Sequence, residues 1–330
     1  MEQGKLLITG GTGFFGKALL RHFLLNQNNN QVPTSIVLLS RNPDLFLKKH
    51  PEFKLLKSLE LRFGDITLPQ TLPNIAGITH VIHAATDSTV GPFMEPLERY
   101  RQIVHGTENI LAYAVRCGAR RFLLTSSGGV YGEQPEDVER LPETWLGMPD
   151  PLNPANAYSV AKRAAEHLCA LYRAAYGLET VIARCFAFVG EDLPLNVHFA
   201  IGNFVRDALW ADEITVGGDG KSIRSYLDQR DLAEWLLGLL ANGQSGNAYN
   251  VGSDRSISVA ALANLVGKLI SPAKTVRIMG NVNEARQRSI YVPDISKARR
   301  ELGLTVTVQL EQAISDTASA AYRNSECRFT

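Results

Sequence analysis

Apolar positions fall into two alternating rhythms along the first half of the chain. Compact apolar runs at Lys5 to Thr9, Ser35 to Leu39, Leu59 to Phe63, His80 to His83, Arg121 to Thr125 and Thr180 to Arg184 read as strands. The stretches from about Gly13 to Asn26, Glu98 to Cys117 and Tyr158 to Tyr176 instead carry apolar residues at the helical period. Strand and helix in alternation predict an α/β fold, a doubly wound parallel sheet with helices on both faces. A ligand is expected outside the carboxyl ends of its strands.

After about Cys185 the rhythm loosens. Loops rich in Gly and Pro separate short helices such as Val259 to Ile270, which predicts a smaller, mixed α/β second lobe. The run NQNNNQ at 26 to 31 reads as a solvated connection between the first helix and the second strand.

The turn after the first strand carries the first chemical signal. In LLITGGTGFFG, Gly10, Gly13 and Gly16 suit a tight turn, a close backbone approach to a pyrophosphate, and packing of helix on sheet. Strand and helix flank the cluster in the order that a Rossmann dinucleotide site requires, with the helix N-terminus facing the anion. Phe14 and Phe15 within this turn are counted with the cofactor site. Residues 1–185 are therefore expected to form an NAD(P)-binding Rossmann domain, with 225–250 returning to it. Residues 186–224 and 251–330 are expected to form a substrate-binding lobe.

The second strand ends SIVLLSRNP, where NAD-preferring sites usually place a carboxylate for the ribose hydroxyls. Ser40 and Arg41 stand there instead. A hydroxyl and a guanidinium suit a 2'-phosphate, so NADP(H) is the expected cofactor, with NAD the alternative.

Tyr158 and Lys162 in AYSVAK lie four residues apart on a predicted helix, so their side chains point the same way. An ordinary phenol titrates near ~10 and is a poor base at neutral pH, whereas a neighbouring ammonium favours the phenolate. Lys162 is thus expected to lower the pKa of Tyr158 and to hold the cofactor ribose. A redox enzyme follows.

Composition narrows this further without changing it. The chain has 330 residues, 45% hydrophobic and 20% charged, with a formal net charge of +1. That balance gives no case for nucleic acid or an anionic membrane surface as partner. Cys117, Cys169, Cys185 and Cys327 show no metal-ligand spacing and read as scattered reduced thiols, and no metal is expected. The N-terminus lacks signal-peptide features, no apolar run approaches the ~18 residues of a membrane span, and the cytoplasm is the expected compartment.

Taken with TGGTGFFG at 9 to 16, GDI at 64 to 66, HAAT at 83 to 86, GTENIL at 106 to 111, SSGGVYG at 126 to 132, YSVAK at 158 to 162, RSYL at 224 to 227 and YNVGS at 249 to 253, the chain resembles an extended short-chain dehydrogenase/reductase. The resemblance is to the epimerase/dehydratase group that modifies nucleotide-diphosphate sugars, and it spans nearly the whole chain. It implies that Asp65 and Ile66 flank the adenine, although by themselves they are only a loop after a strand. It implies that Ala84, Ala85 and Thr86 line the cofactor, and that Ser127 hydrogen-bonds the reacting sugar oxygen beside Tyr158 and Lys162. Arg224, Asn203 and Arg286 (or Arg288) are implied substrate contacts, the arginines for the diphosphate. A homodimer formed through the helices at Glu98 to Cys117 and Tyr158 to Tyr176 is likewise implied.

Departures from the family pattern choose among reactions. The 4,6-dehydratases carry an Asp-Glu pair immediately before Val-Tyr-Gly, and decarboxylases usually a glutamate at the second of these positions. Here both are glycines, Gly128 and Gly129. Ile103 and Ala187 replace asparagines of the pattern. What remains is hydride transfer at a ring carbon: reduction of a 4-keto sugar with exchange of NADPH, or 4-epimerisation with retained NAD. For the latter the two glycines are expected to leave room for the keto intermediate to turn. Arg41 favours the reductase. A non-catalytic dinucleotide-binding sensor is disfavoured by retention of Ser127, Tyr158 and Lys162.

Overall fold

The structure, a computed structural model, describes residues 4–27, 33–86, 93–280 and 289–326. Six strands of the first half are β1 (Lys5–Thr9), β2 (Ser35–Ser40), β3 (Leu59–Phe63), β4 (Ile78–His83), β5 (Arg121–Ser127) and β6 (Glu179–Cys185). The helices among them are α1 (Phe14–Leu25), α2 (Pro43–Lys49), α3 (Pro96–Arg116) and α4 (Ala157–Tyr176). The apolar runs located all six strands, with β4, β5 and β6 each two residues longer than their run and β2 one residue longer.

The remaining strands are β7 (Phe188–Val189), β8 (Ile214–Val216), β9 (Ile223–Arg224), β10 (Leu227–Asp228), β11 (Ala248–Val251), β12 (Ile257–Ser258), β13 (Val276–Ile278) and β14 (Ile290–Tyr291). The remaining helices are α5 (Ala200–Trp210), α6 (Gln229–Asn242), α7 (Val259–Ile270), α8 (Ser296–Leu302) and α9 (Leu310–Glu326).

One parallel sheet has the order β11-β6-β5-β4-β1-β2-β3. Its strands are so apolar because both faces are covered. Alternate residues of one strand enter opposite cores: Leu6, Ile8, Ile36 and Leu38 pack with α1 and α6, while Leu7, Val37, Leu39 and Val81 pack with α3 and α4. Each such side chain, essentially without solvent contact, contributes roughly 1.5–3 kcal/mol by its burial. Strand order reverses between β1 and β4, so the crevice of this sheet opens where those two strands end.

The C-terminal half contributes in two ways. Strand β11 pairs with β6 in the main sheet, and α6 covers one face through Trp235, whose Nε1 donates to Thr305 O at 3.1 Å. The rest forms small sheets, β12-β9-β14 and β8-β13, against α5, α7 and α9 around a core that includes Phe204, Leu262 and Ile314. No described helix is long and apolar enough to cross a membrane.

Candidate active site

The glycine turn is built for a close ligand. Gly10 has φ +72°, and a Cβ on it would lie 2.3 Å from Ala84 O and 2.6 Å from Ala85 N, so the loops after β1 and β4 touch there. A Cβ on Gly16 would sit 2.1 Å from Gly11 Cα, which is the helix-on-turn packing expected of it. Gly13 differs: its Cβ would meet nothing nearer than Gly10 O at 3.4 Å. It is exposed and precedes α1 with no side-chain cap and no acidic residue in the first turn. The amide groups at that helix end are left for an anion, so these residues fit the pyrophosphate of a dinucleotide.

Other predicted cofactor positions surround this turn. Ser40 is buried at the end of β2 with its Oγ accepting from Asn42 N at 3.0 Å, and Arg41 is exposed beside it. Asp65 caps its own loop, its Oδ1 accepting from Thr67 N at 2.8 Å and Thr67 Oγ1 at 2.7 Å. Ile66 packs where Gly106 leaves room, and its carbonyl accepts from Asn109 Nδ2 at 2.8 Å. Phe14 and Phe15 form an aromatic cluster with Phe188, at ring separations of 6.4 and 5.1 Å.

Lys162 reaches beneath the crevice from α4. Its Nζ donates to Thr86 Oγ1 at 2.7 Å and Thr125 O at 2.8 Å, which ties three predicted segments together. Burial lowers its pKa to about 8. His83, under the same loop, is held between Thr9 Oγ1 (2.7 Å) and Thr107 Oγ1 (3.3 Å), and burial, aided by Lys162, lowers its pKa to about 3. It is a neutral structural link.

Ser127 is a polar neighbour of the Tyr158 phenol and favours its ionised form. The Ser127 Oγ accepts from Gly129 N at 3.1 Å, so it is oriented by the backbone. The expected effect of Lys162 on Tyr158 is corrected by the structure. Burial dominates and raises the phenol's pKa, while the groups that oppose it are Ser127 and Arg99. The Arg99 guanidinium lies 4.4 Å above the Tyr158 ring, whereas Lys162 Nζ is 5.9 Å from the ring centroid, spent on Thr86 and Thr125.

A second correction concerns the two glycines. A Cβ on Gly128 would lie 2.7 Å from both the Tyr291 hydroxyl and Phe186 Cζ, and one on Gly129 would lie 2.6 Å from Ser159 Oγ. The space they free is filled by neighbours, so the missing Cβ atoms do not themselves open room for a sugar ring. A carboxylate at either position would displace those groups.

Underneath, Ser126 Oγ donates to Glu166 Oε1 at 2.6 Å, and Arg184 holds the same carboxylate with contacts of 2.8 and 3.1 Å. This pair braces β5 and β6 against α4.

Among predicted substrate contacts, Asn203 lines a cavity of about 290 Å³ in the C-terminal half with His198, Phe204, Gly217 and Asp219. Its Oδ1 accepts from Arg206 at 3.1 Å. Arg224 donates to Ile223 O (2.8 Å), Ser289 O (2.9 Å) and Ser289 Oγ (3.1 Å), with Tyr226 and Tyr291 as its electrostatic neighbours. Part of its five-donor fork is thus spent locally. Arg286, Arg288 and Cys327 lie outside the described residues. Among the described residues no group of three or more His, Cys, Asp or Glu could hold a metal ion.

Sequence reasoning missed Arg99 and Tyr291. Arg99 had a signal: it stands one turn before Ile103 on the stripe of α3 that continues inward through Thr107 and Ile110. Tyr291 had none, since a two-residue strand shows no periodicity.

A family model for the NAD dependent epimerase/dehydratase family matches residues 6–252. The chain belongs to this family. Among curated relatives, UDP-glucuronic acid decarboxylase 3 of Arabidopsis thaliana is 31% identical over 314 residues, covering 94% of this chain and 86% of that protein. Among solved structures, the dTDP-glucose 4,6-dehydratase DesIV of Streptomyces venezuelae, with NAD and TYD bound, aligns with TM-score 0.81 at 23% identity over 98% of both chains. RMD of Pseudomonas aeruginosa, complexed with NADPH, aligns with TM-score 0.78 at 24% identity over 98% of this chain and 100% of that one. This fold is shared by a protein solved with NAD and by one complexed with NADPH.

Proposed function

We propose that the chain transfers hydride between a nicotinamide dinucleotide and C4 of a nucleotide-diphosphate sugar, in the direction of 4-keto reduction. One observation carries the reading: Ser127, Tyr158 and Lys162 converge beside the dinucleotide turn, with no carboxylate at positions 128 and 129. Elimination of a C6 hydroxyl needs an acid and a base at the sugar in addition to Tyr158, and Gly128 and Gly129 supply neither.

When bound, the dinucleotide supplies the hydride. Tyr158, its pKa raised by burial, holds its proton at neutral pH and delivers it to the oxygen of the carbon being reduced. Ser127 orients that oxygen, and Arg99 above the ring favours the phenolate left behind. Lys162 fixes Thr86 and the end of β5, and so the floor on which the nicotinamide ribose would rest. The exposed guanidinium of Arg41 at the end of β2 suits a 2'-phosphate, which supports NADP(H) over NAD.

The curated relatives favour a second reading, decarboxylation of a nucleotide-linked uronic acid. A 4-ketone beside a C6 carboxylate makes a β-keto acid, which loses CO2 without a base, so the same Ser127 and Tyr158 would serve an oxidation, loss of CO2 and re-reduction. One experiment separates the two. The purified protein is denatured to identify any released dinucleotide by mass, then assayed with UDP-glucuronic acid plus NAD and with a dTDP-linked 4-keto-6-deoxy sugar plus NADPH. Keto-sugar reduction with NADPH preference, lost about 10²- to 10⁴-fold in Tyr158→Phe with dinucleotide affinity retained, is the expected result. Retained NAD with release of CO2 and a UDP-pentose would replace it by the decarboxylase.

A further inference from the structure

Two phenols approach the end of β5 near Ser127. Tyr158 approaches from α4, and Tyr291 approaches from β14, where it pairs in parallel register with Arg224 of β9. The Tyr291 ring is fixed against Phe186, with centroids 4.5 Å apart and planes at 34°. Its hydroxyl lies at the carbonyl of Cys185, the residue paired with Ser127 across β5 and β6, and fills the space that Gly128 leaves by lacking a Cβ.

Among the described residues its backbone acceptor is a poor one. The Tyr291 hydroxyl lies 3.4 Å from Cys185 O, longer than the roughly 2.5–3.0 Å of a sound O–H···O bond. Burial also holds its pKa above the ordinary tyrosine value, so it stays protonated at neutral pH and acts as a donor. A protonated phenol thus stands beside the serine that orients the reacting oxygen, held by a long bond to Cys185 O that it can give up when a better acceptor arrives.

We infer that Tyr291 is a further catalytic residue, donating a hydrogen bond to the sugar oxygen at the reacting carbon alongside Ser127 and Tyr158. The inference rests on the hydride-transfer reading above. As that oxygen gains negative charge it becomes a stronger acceptor, so the bond tightens toward the transition state. Because Tyr291 comes from the C-terminal half, the centre is complete only when β14 is seated on it. Gly128 is glycine so that this phenol can enter.

Tyr291→Phe tests this, since it keeps the ring on Phe186 and removes only the hydroxyl. Kinetics use UDP-glucuronic acid with NAD and a dTDP-linked 4-keto-6-deoxy sugar with NADPH, with the thermal midpoint checked first. On whichever sugar the wild type turns over, kcat is expected to fall about 10- to 100-fold, somewhat less than loss of a sole oxyanion donor. The KM for the sugar and the dinucleotide Kd should change by less than about twofold, as for an interaction made in the transition state. Wild-type turnover with kcat unchanged in Tyr291→Phe, or with the whole loss in KM, overturns the inference alone. A wild type inert toward both sugars overturns the hydride-transfer reading and this inference with it.

Discussion

At the residue scale, burial sets the chemistry more than charge pairing does. Lys162 is 3% exposed, and its pKa of about 8 lies well below the ordinary 10.5. Between those values the unfolded chain keeps a proton that the folded chain has released, so stability rises with pH across that window. Below about pH 8 the cost of the buried ammonium is fully present. Denaturation of the dinucleotide-free protein should therefore show wild type gaining stability from about pH 8 to about 10.5 relative to Lys162→Met. Parallel profiles would mean that the lysine titrates normally. The spacing of Tyr158 and Lys162 was legible in the sequence, but the partners of Lys162 were not, because Thr125 O and Thr86 come from other strands and loops.

At the scale of the element, the turn between β1 and α1 separates structural glycines from a ligand-facing one. Gly10→Ala places a Cβ 2.3 Å from Ala84 O at φ +72°, where left-handed backbone alone costs an alanine about 1–2 kcal/mol. Gly16→Ala drives a Cβ into Gly11. Gly13 has φ −85° and open space before it, so Gly13→Ala is expected to fold with near wild-type stability. Thermal denaturation should therefore be lowered in the Gly10 and Gly16 variants and not in Gly13→Ala. A dinucleotide titration should show Gly13→Ala losing about tenfold or more in affinity, since its methyl group would hold the pyrophosphate off the amides. Unchanged affinity in Gly13→Ala would remove that glycine from the binding surface.

On the scale of the whole molecule, α3 and α4 lie together on one face of the sheet and carry exposed apolar side chains: Leu97, 59% exposed, Leu171, 49%, and Tyr176, 62%. We propose that two copies pair through this face, as the family resemblance implies. Light scattering should give twice the monomer mass, and Leu171→Lys should shift the population toward monomer. A monomeric wild type at micromolar concentration would end that proposal.

The sequence by itself determined six of the sheet's seven strands, the doubly wound class and the glycine turn, and offered Ser127, Tyr158 and Lys162 as the candidate set. Each is written in local periodicity or in motifs confined to one strand-turn-helix unit. Only the tertiary structure decided which groups surround Tyr158, what fills the space beside Gly128 and Gly129, and that Tyr291 comes to the end of β5 beside Ser127. Those contacts join residues far apart in the chain, and their partners are fixed by how strands and loops stack. Burial, and with it the protonation of Tyr158, Lys162 and Tyr291, exists only once the chain has closed over them.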